Sequence, residues 1–177
     1  VCIGDSVQIT ASGGVNYVWT PATALSSTII SNPYSKPVSN ITYIVEGTDI
    51  NGCKSSDSIK VNVNSLPTVD AGPNKSICSG ASTQLNATGA KTYLWNSDLS
   101  LNDTLISNPV GSPTITTTYF VLGTDTNGCS KTDSVKITVN PLPNVTVAAV
   151  TPNDTVCEGS FITLAGGGAT NYAWSGP

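Results

Sequence analysis

The chain has 177 residues and a net charge of −4; only 10% of the residues are charged, and Arg, His and Met are absent. Such a surface offers no basic stripe for nucleic acid held by counterion release, nor a patch for an anionic membrane. Without histidine there is no Ser–His or Cys–His nucleophile pair. The carboxylates stand mostly at turns and strand edges, so no catalytic residue, enzymatic activity or cofactor is expected.

The elements read as strands from the first residues on. Val7, Ile9 and Ala11 alternate with Ser6, Gln8 and Thr10, the period of a half-buried strand. Tyr17 and Trp19 share a face on the next strand, and Tyr43 follows in a third. Asn51-Gly52 sits between two strand patterns, where this pair favours a hairpin turn with positive φ, and Cys53 comes directly after it. Ile59, Val61 and Val63 then alternate with Ser58, Lys60 and Asn62, and the aliphatic members are expected to face inward.

After Leu66-Pro67 the pattern starts again. Cys2, Tyr17, Trp19, Tyr43 and Cys53 recur 76 positions on as Cys78, Tyr93, Trp95, Tyr119 and Cys129, and 31 of the 66 aligned positions are identical without a gap. Cys157, Tyr172 and Trp174 open a third copy, 79 positions after the second. The period divides the chain into residues 1–65, a unit lacking its first strand; 66–143, a complete unit; and 144–177, the N-terminal part of a third. Leu66-Pro67 and Leu142-Pro143 should make the joints semi-rigid and the array elongated.

Short strands, close turns, one tryptophan and one late tyrosine per unit predict an all-β fold of tandem immunoglobulin-like sandwiches. Trp19, Trp95 and Trp174 are expected in the core rather than stacked on a sugar, and Tyr43 and Tyr119 stand where a tyrosine corner would be. The cysteine spacing of 51 in both copies is unlike the close pairs of zinc sites. It is read as one staple per unit, Cys2 with Cys53 and Cys78 with Cys129, with the partner of Cys157 lying beyond the sequence.

The register Cys-x-Gly-x-Ser, Tyr-x-Trp, Ser-Asn-Pro, Thr-x-Tyr-x-Val and Gly-Thr-Asp-x-Asn-Gly-Cys is carried by Cys78, Gly80, Ser82, Tyr93, Trp95, Ser107, Asn108, Pro109, Tyr119, Val121, Gly123, Asp125, Asn127, Gly128 and Cys129. It resembles the PKD-like or Ig-like repeats of very large secreted surface proteins of Bacteroidetes. Similar arrays occur in gliding-motility adhesins and other type IX secretion cargo. The resemblance implies export, a place at the cell surface and an adhesive or stalk role.

Two further motifs remain. Asp-Ser/Thr-aliphatic triplets place Ser6, Ser58, Thr104, Ser134 and Thr155 in a context similar to the O-glycosylation motif of exported Bacteroidetes proteins; the plainer reading is that Asp-Ser opens a strand. Asp49 with Asn51, and Asp125 with Asn127, resemble the opening of a calcium loop, but no glutamate follows at the required distance, and an Asp-stabilised turn explains them equally. Asp70, near a joint, leaves open an ion between units. Six Asn-x-Ser/Thr sequons, at Asn40, Asn74, Asn86, Asn102, Asn144 and Asn153, follow from composition.

The expected function is that of a non-catalytic shaft segment of an extracellular adhesin or filament. The alternatives are a carbohydrate-binding array and spacer domains of a secreted enzyme. Expected partners are neighbouring repeats of the same chain, with surface polysaccharide or other cell-surface proteins as further candidates, and no nucleic acid and no membrane insertion.

Overall fold

The computed structural model describes residues 1–96, 99–149 and 156–175, and every regular element among them is a β-strand. In the second unit, β6 (Lys75–Cys78), β8 (Thr92–Trp95), β10 (Thr117–Thr124) and β11 (Ser130–Asn140) form one sheet in the order β6-β11-β10-β8. The short pair β7 (Thr83–Gln84) and β9 (Val110–Gly111) belongs to the facing sheet. That sheet is extended by bridges from Asp70 to Thr88 and from Leu101 to Gly111. The result is an all-β, Ig-like sandwich.

Alternation decides which side chains meet between the sheets. Tyr119 pairs with Val135 and Val121 with both Asp133 and Trp95, so Tyr119, Val121, Val135 and Trp95 all point inward from one sheet. Leu85 and Ala87 meet them from the other sheet, and Val69 and Ala71 close the side. The indole Nε1–H of Trp95 donates to the Ile106 carbonyl at 2.9 Å, so the ring is buried without an orphaned donor.

The first unit repeats this plan with β1 (Val7–Gln8), β2 (Asn16–Thr20), β3 (Tyr34–Ser35), β4 (Ile41–Thr48) and β5 (Lys54–Val61). Its core is Ile9, Trp19, Tyr43, Val45 and Val61. Val135 is 1% exposed beneath Val69 and Ala71, whereas its counterpart Ile59 is 40% exposed, so the expected inward burial of Ile59 is corrected to an exposed position.

The third unit contributes β12 (Thr146–Ala149) and β13 (Leu164–Gly167), paired antiparallel. Trp174 is 56% exposed, against 2% for Trp19 and 1% for Trp95. Its assignment to a core is therefore corrected: the residues present supply none of the Thr-x-Tyr-x-Val sheet against which the other two indoles pack.

The tyrosines divide the work differently from expectation. The hydroxyl of Tyr43 donates to the Thr23 carbonyl at 2.9 Å, 20 residues upstream, and meets the Ser35 hydroxyl at 2.9 Å; Tyr119 meets Ser100 at 2.6 Å. These bonds cross the sandwich and are not the local clasp of a tyrosine corner. The local clasp belongs to Tyr17 and Tyr93, whose hydroxyls accept from the backbone N–H and donate to the carbonyl of Gly14 and Ala90, each three residues back.

Candidate functional site: the stapled joint

Each unit has two ends, and its cysteines lie at opposite ones. Asp125 Oδ1 accepts the backbone N–H groups of Asn127 and Cys129 at 2.8 and 2.9 Å, which folds the Asn-Gly turn and places Cys129 at the start of β11. Asp49 does the same for Asn51 and Cys53, both at 2.8 Å. These bonds engage one carboxylate oxygen of each aspartate in the turn. Among the described residues no group of three or more Asp, Glu, Cys or His side chains converges on a cation position.

The other cysteine sits at the far end of the same strand. Cys78 is the parallel neighbour of Asn140, the last residue of β11, and Cys2 bridges Asn64 just past β5. Eleven residues of extended chain, about 36 Å at the rise of a strand, separate Cys129 from Asn140 and Cys53 from Asn64. A disulfide tolerates about 7 Å between α-carbons, so neither intra-unit pair can close.

The structure instead joins Cys2 to Cys129, with α-carbons 5.5 Å apart and 127 positions between them in sequence. The expected pairs Cys2–Cys53 and Cys78–Cys129 are thus corrected: the bond runs from the linker end of the first unit to the hairpin turn of the second. Cys53, Cys78 and Cys157 are free and exposed thiols. The joint therefore has two covalent connections, the backbone through Leu66-Pro67 and the disulfide beside it. Pro67 is itself buried, which fixes the exit of the linker.

The strand that follows the linker is seated by two contacts. The backbone N–H of Ala71 donates to Asp133 Oδ2 at 2.7 Å, and Asp70 and Thr88 exchange backbone bonds at 3.1 and 2.8 Å. The hydrogen bond from Ala71, then that from Ser134 and the nearby Lys131 charge, hold the Asp133 carboxyl below its ordinary value against a small opposing effect of burial. Asp70 lends Oδ1 to the N–H of Gly72 at 2.8 Å, so it is a turn residue.

Of the triplet hydroxyls, Ser6, Ser58 and Ser134 are exposed and Thr104 is half-buried; Thr155 lies outside the described residues. The preceding aspartates have structural duties: Asp57 accepts from Ser58 N–H at 2.7 Å and Asp103 from Leu105 N–H at 2.8 Å. Sequon residues Asn40, Asn74 and Asn102 likewise cap backbone N–H groups of Val63, Lys136 and Val110. On the outer face of the second unit, Leu94, Phe120 and Leu122 surround a shallow cavity of about 400 Å³ with Thr104 and Thr132 at its rim.

No helix among the described residues is long and apolar enough to cross a membrane. No curated protein sequence matches the chain. Among solved structures, insect hemolin is similar over 78% of this chain and 44% of its own length, at 18% identity and a TM-score of 0.36. The fibronectin(III)-like modules of Clostridium thermocellum CbhA are similar over 79% of this chain and 88% of their own, at 15% and 0.37. The Bacteroides ovatus glucan-utilization protein SGBP-B is similar over 77% of this chain and 42% of its own, at 15% and 0.31. The chain thus spans less than half the length of hemolin and of SGBP-B. Residues 65–141 match the family model described as "Ig-like domain CHU_C associated".

Proposed function

We propose that the chain is a segment of the non-catalytic shaft of an extracellular adhesin or filament. The observation that carries this reading is the disulfide from Cys2 to Cys129 across the joint. A single peptide linker between two sandwiches is a hinge, and a second covalent link beside it removes most of the bending freedom. Stiff joints in series give reach, which suits display and adhesion; a site for turnover would need convergent titratable groups. A joint staple also needs an oxidising compartment, in keeping with export to the cell surface. Type IX secretion, gliding motility and glycosylation of the exposed triplet serines belong to the same reading through the resemblance of the repeats. So do neighbouring repeats, surface polysaccharide or cell-surface proteins as partners.

Small-angle scattering of oxidised and reduced protein tests the proposal. The oxidised form is expected to scatter as a narrow rod, and reduction should broaden the distribution of inter-unit distances. A compact particle in both states would overturn it. A second reading, a carbohydrate-binding module, is favoured by the exposed Phe120 ring beside Leu94 and Leu122, since an aromatic face can stack on a sugar. Binding in a glycan screen that Phe120→Ala abolishes would select that reading.

A further inference from the structure

The turn that delivers Cys129 to the joint contains a reactive pair. Asn127 and Gly128 are both exposed, and a β-carbon on Gly128 would meet nothing within 4 Å, so no side chain shields its backbone nitrogen. That N–H reaches only the Asp125 carbonyl, at 3.3 Å, a longer bond than the 2.8 and 2.9 Å of the other turn contacts. The Asn127 carboxamide has no hydrogen-bond partner among the described residues. Asn40, Asn74 and Asn102, by contrast, each spend a side-chain oxygen on a backbone N–H, and none of them precedes a glycine.

We propose that this turn modifies itself, converting Asn127 to isoaspartate and thereby unlatching the stapled joint. The Gly128 nitrogen gives its proton to water and attacks Cγ of Asn127. The Cγ–Nδ2 bond breaks, Nδ2 leaves as ammonia with a proton from solvent, and a succinimide ring joins the two residues. Water then adds to the backbone carbonyl carbon of residue 127 and breaks its bond to the Gly128 nitrogen. The chain now runs through Cβ and Cγ, one carbon longer than before, and the former backbone carbonyl has become a free carboxylate. No oxidant, metal or enzyme is required.

The consequence follows from what the turn holds. Cys129 is 1% exposed, and Asp125 grips it twice at 2.9 Å, through the Cys129 N–H and through the Cys129 carbonyl. Exchange needs a thiolate to reach one of the two sulfurs, so this burial slows reduction of the bond to Cys2. The added carbon moves the Cys129 N–H off Asp125, and the new carboxylate repels that of Asp125. The sulfur is then open to attack. The modification stands on the turn alone, whereas the unlatching rests on the stapled joint of the proposed function.

The test ages the oxidised full chain at mildly alkaline pH for several weeks, followed by peptide mass mapping and by methyl transfer from an isoaspartyl methyltransferase. Asn127 should convert at least tenfold faster than Asn102, chiefly to isoaspartate, and Asn51-Gly52, which has the same bonds to Asp49, should convert as well. Glutathione should reduce the bond between Cys2 and Cys129 at least threefold faster in aged than in fresh protein. Asn127→Gln, whose longer side chain closes the ring far more slowly, should age at Asn51 alone and keep the slow reduction. Conversion of Asn127 no faster than that of Asn102 would overturn the modification and leave the shaft reading standing. Conversion with the reduction rate unchanged would overturn the unlatching.

Discussion

Gly123 lies directly beneath Val69: a β-carbon at this glycine would stand 2.5 Å from one valine methyl and 2.7 Å from Ala90 Cβ. The strand that leaves the linker can seat its valine only because β10 has no side chain at that point. Gly123→Ala is therefore expected to destabilise the second unit by about 1–3 kcal/mol, the usual range for overpacking a filled core. Gly47→Ala, at the equivalent position of the first unit, where a β-carbon would meet nothing nearer than Tyr17 at 3.7 Å, should cost under about 0.5 kcal/mol. Denaturant unfolding of the two variants measures the contrast, and equal costs would mean that the close approach of Val69 to Gly123 is not what limits the site.

The Asp133 carboxylate carries the second anchor of the same strand, and its lowered pKa fixes the sign of a pH effect. The stabilisation it gives is complete above the ordinary carboxyl value of 3.8 and is lost as pH falls through the lower folded value. Asp133→Asn should be less stable than the wild type at neutral pH, and the gap should close in acid below about pH 4. Denaturation midpoints of the two proteins across pH would show whether the strand anchor is the source.

Three indoles in two environments make fluorescence a direct probe of the units. Trp19 and Trp95 are buried, with Nε1–H donated to Ile30 and Ile106 at 2.8 and 2.9 Å, while Trp174 is exposed. Iodide should quench a red-shifted component that Trp174→Phe removes, and it should leave a blue-shifted remainder. Trp95→Phe should lower the stability of the second unit by about 1–3 kcal/mol, because the Ile106 carbonyl loses its donor and the smaller ring leaves the core underfilled. If Trp174→Phe left the quenchable fraction unchanged, one of the other indoles would have to be open to solvent.

Strand positions, the two buried tryptophans and the Asn-Gly turns were legible in the sequence because each depends on residues close together in the chain: period-two alternation, a turn pair, an Asp two residues before an amide. The cysteine pairing was not. In a repeat of 76 residues, a spacing of 51 within a unit and one of 127 across a joint are equally regular, and nothing local separates them. What decides is that both cysteines of a unit flank one long strand, which carries them to opposite ends.

The disulfide also sets how far the chain can be drawn out. With Cys2 bonded to Cys129, unfolding both units under tension applied at the two termini cannot lengthen the path between them, since the bond spans it directly. Reduction should add roughly 42–46 nm to the final contour length, that of 127 extended residues. The pairing first expected would have shielded each unit separately and given two smaller increments, each from a loop with a spacing of 51. Single-molecule pulling of oxidised and reduced protein tells these apart by the size of the step. Cys129→Ser should reproduce the reduced trace without reductant, because it opens the one bond that crosses the joint, whereas Cys53→Ser should leave the oxidised trace as it is.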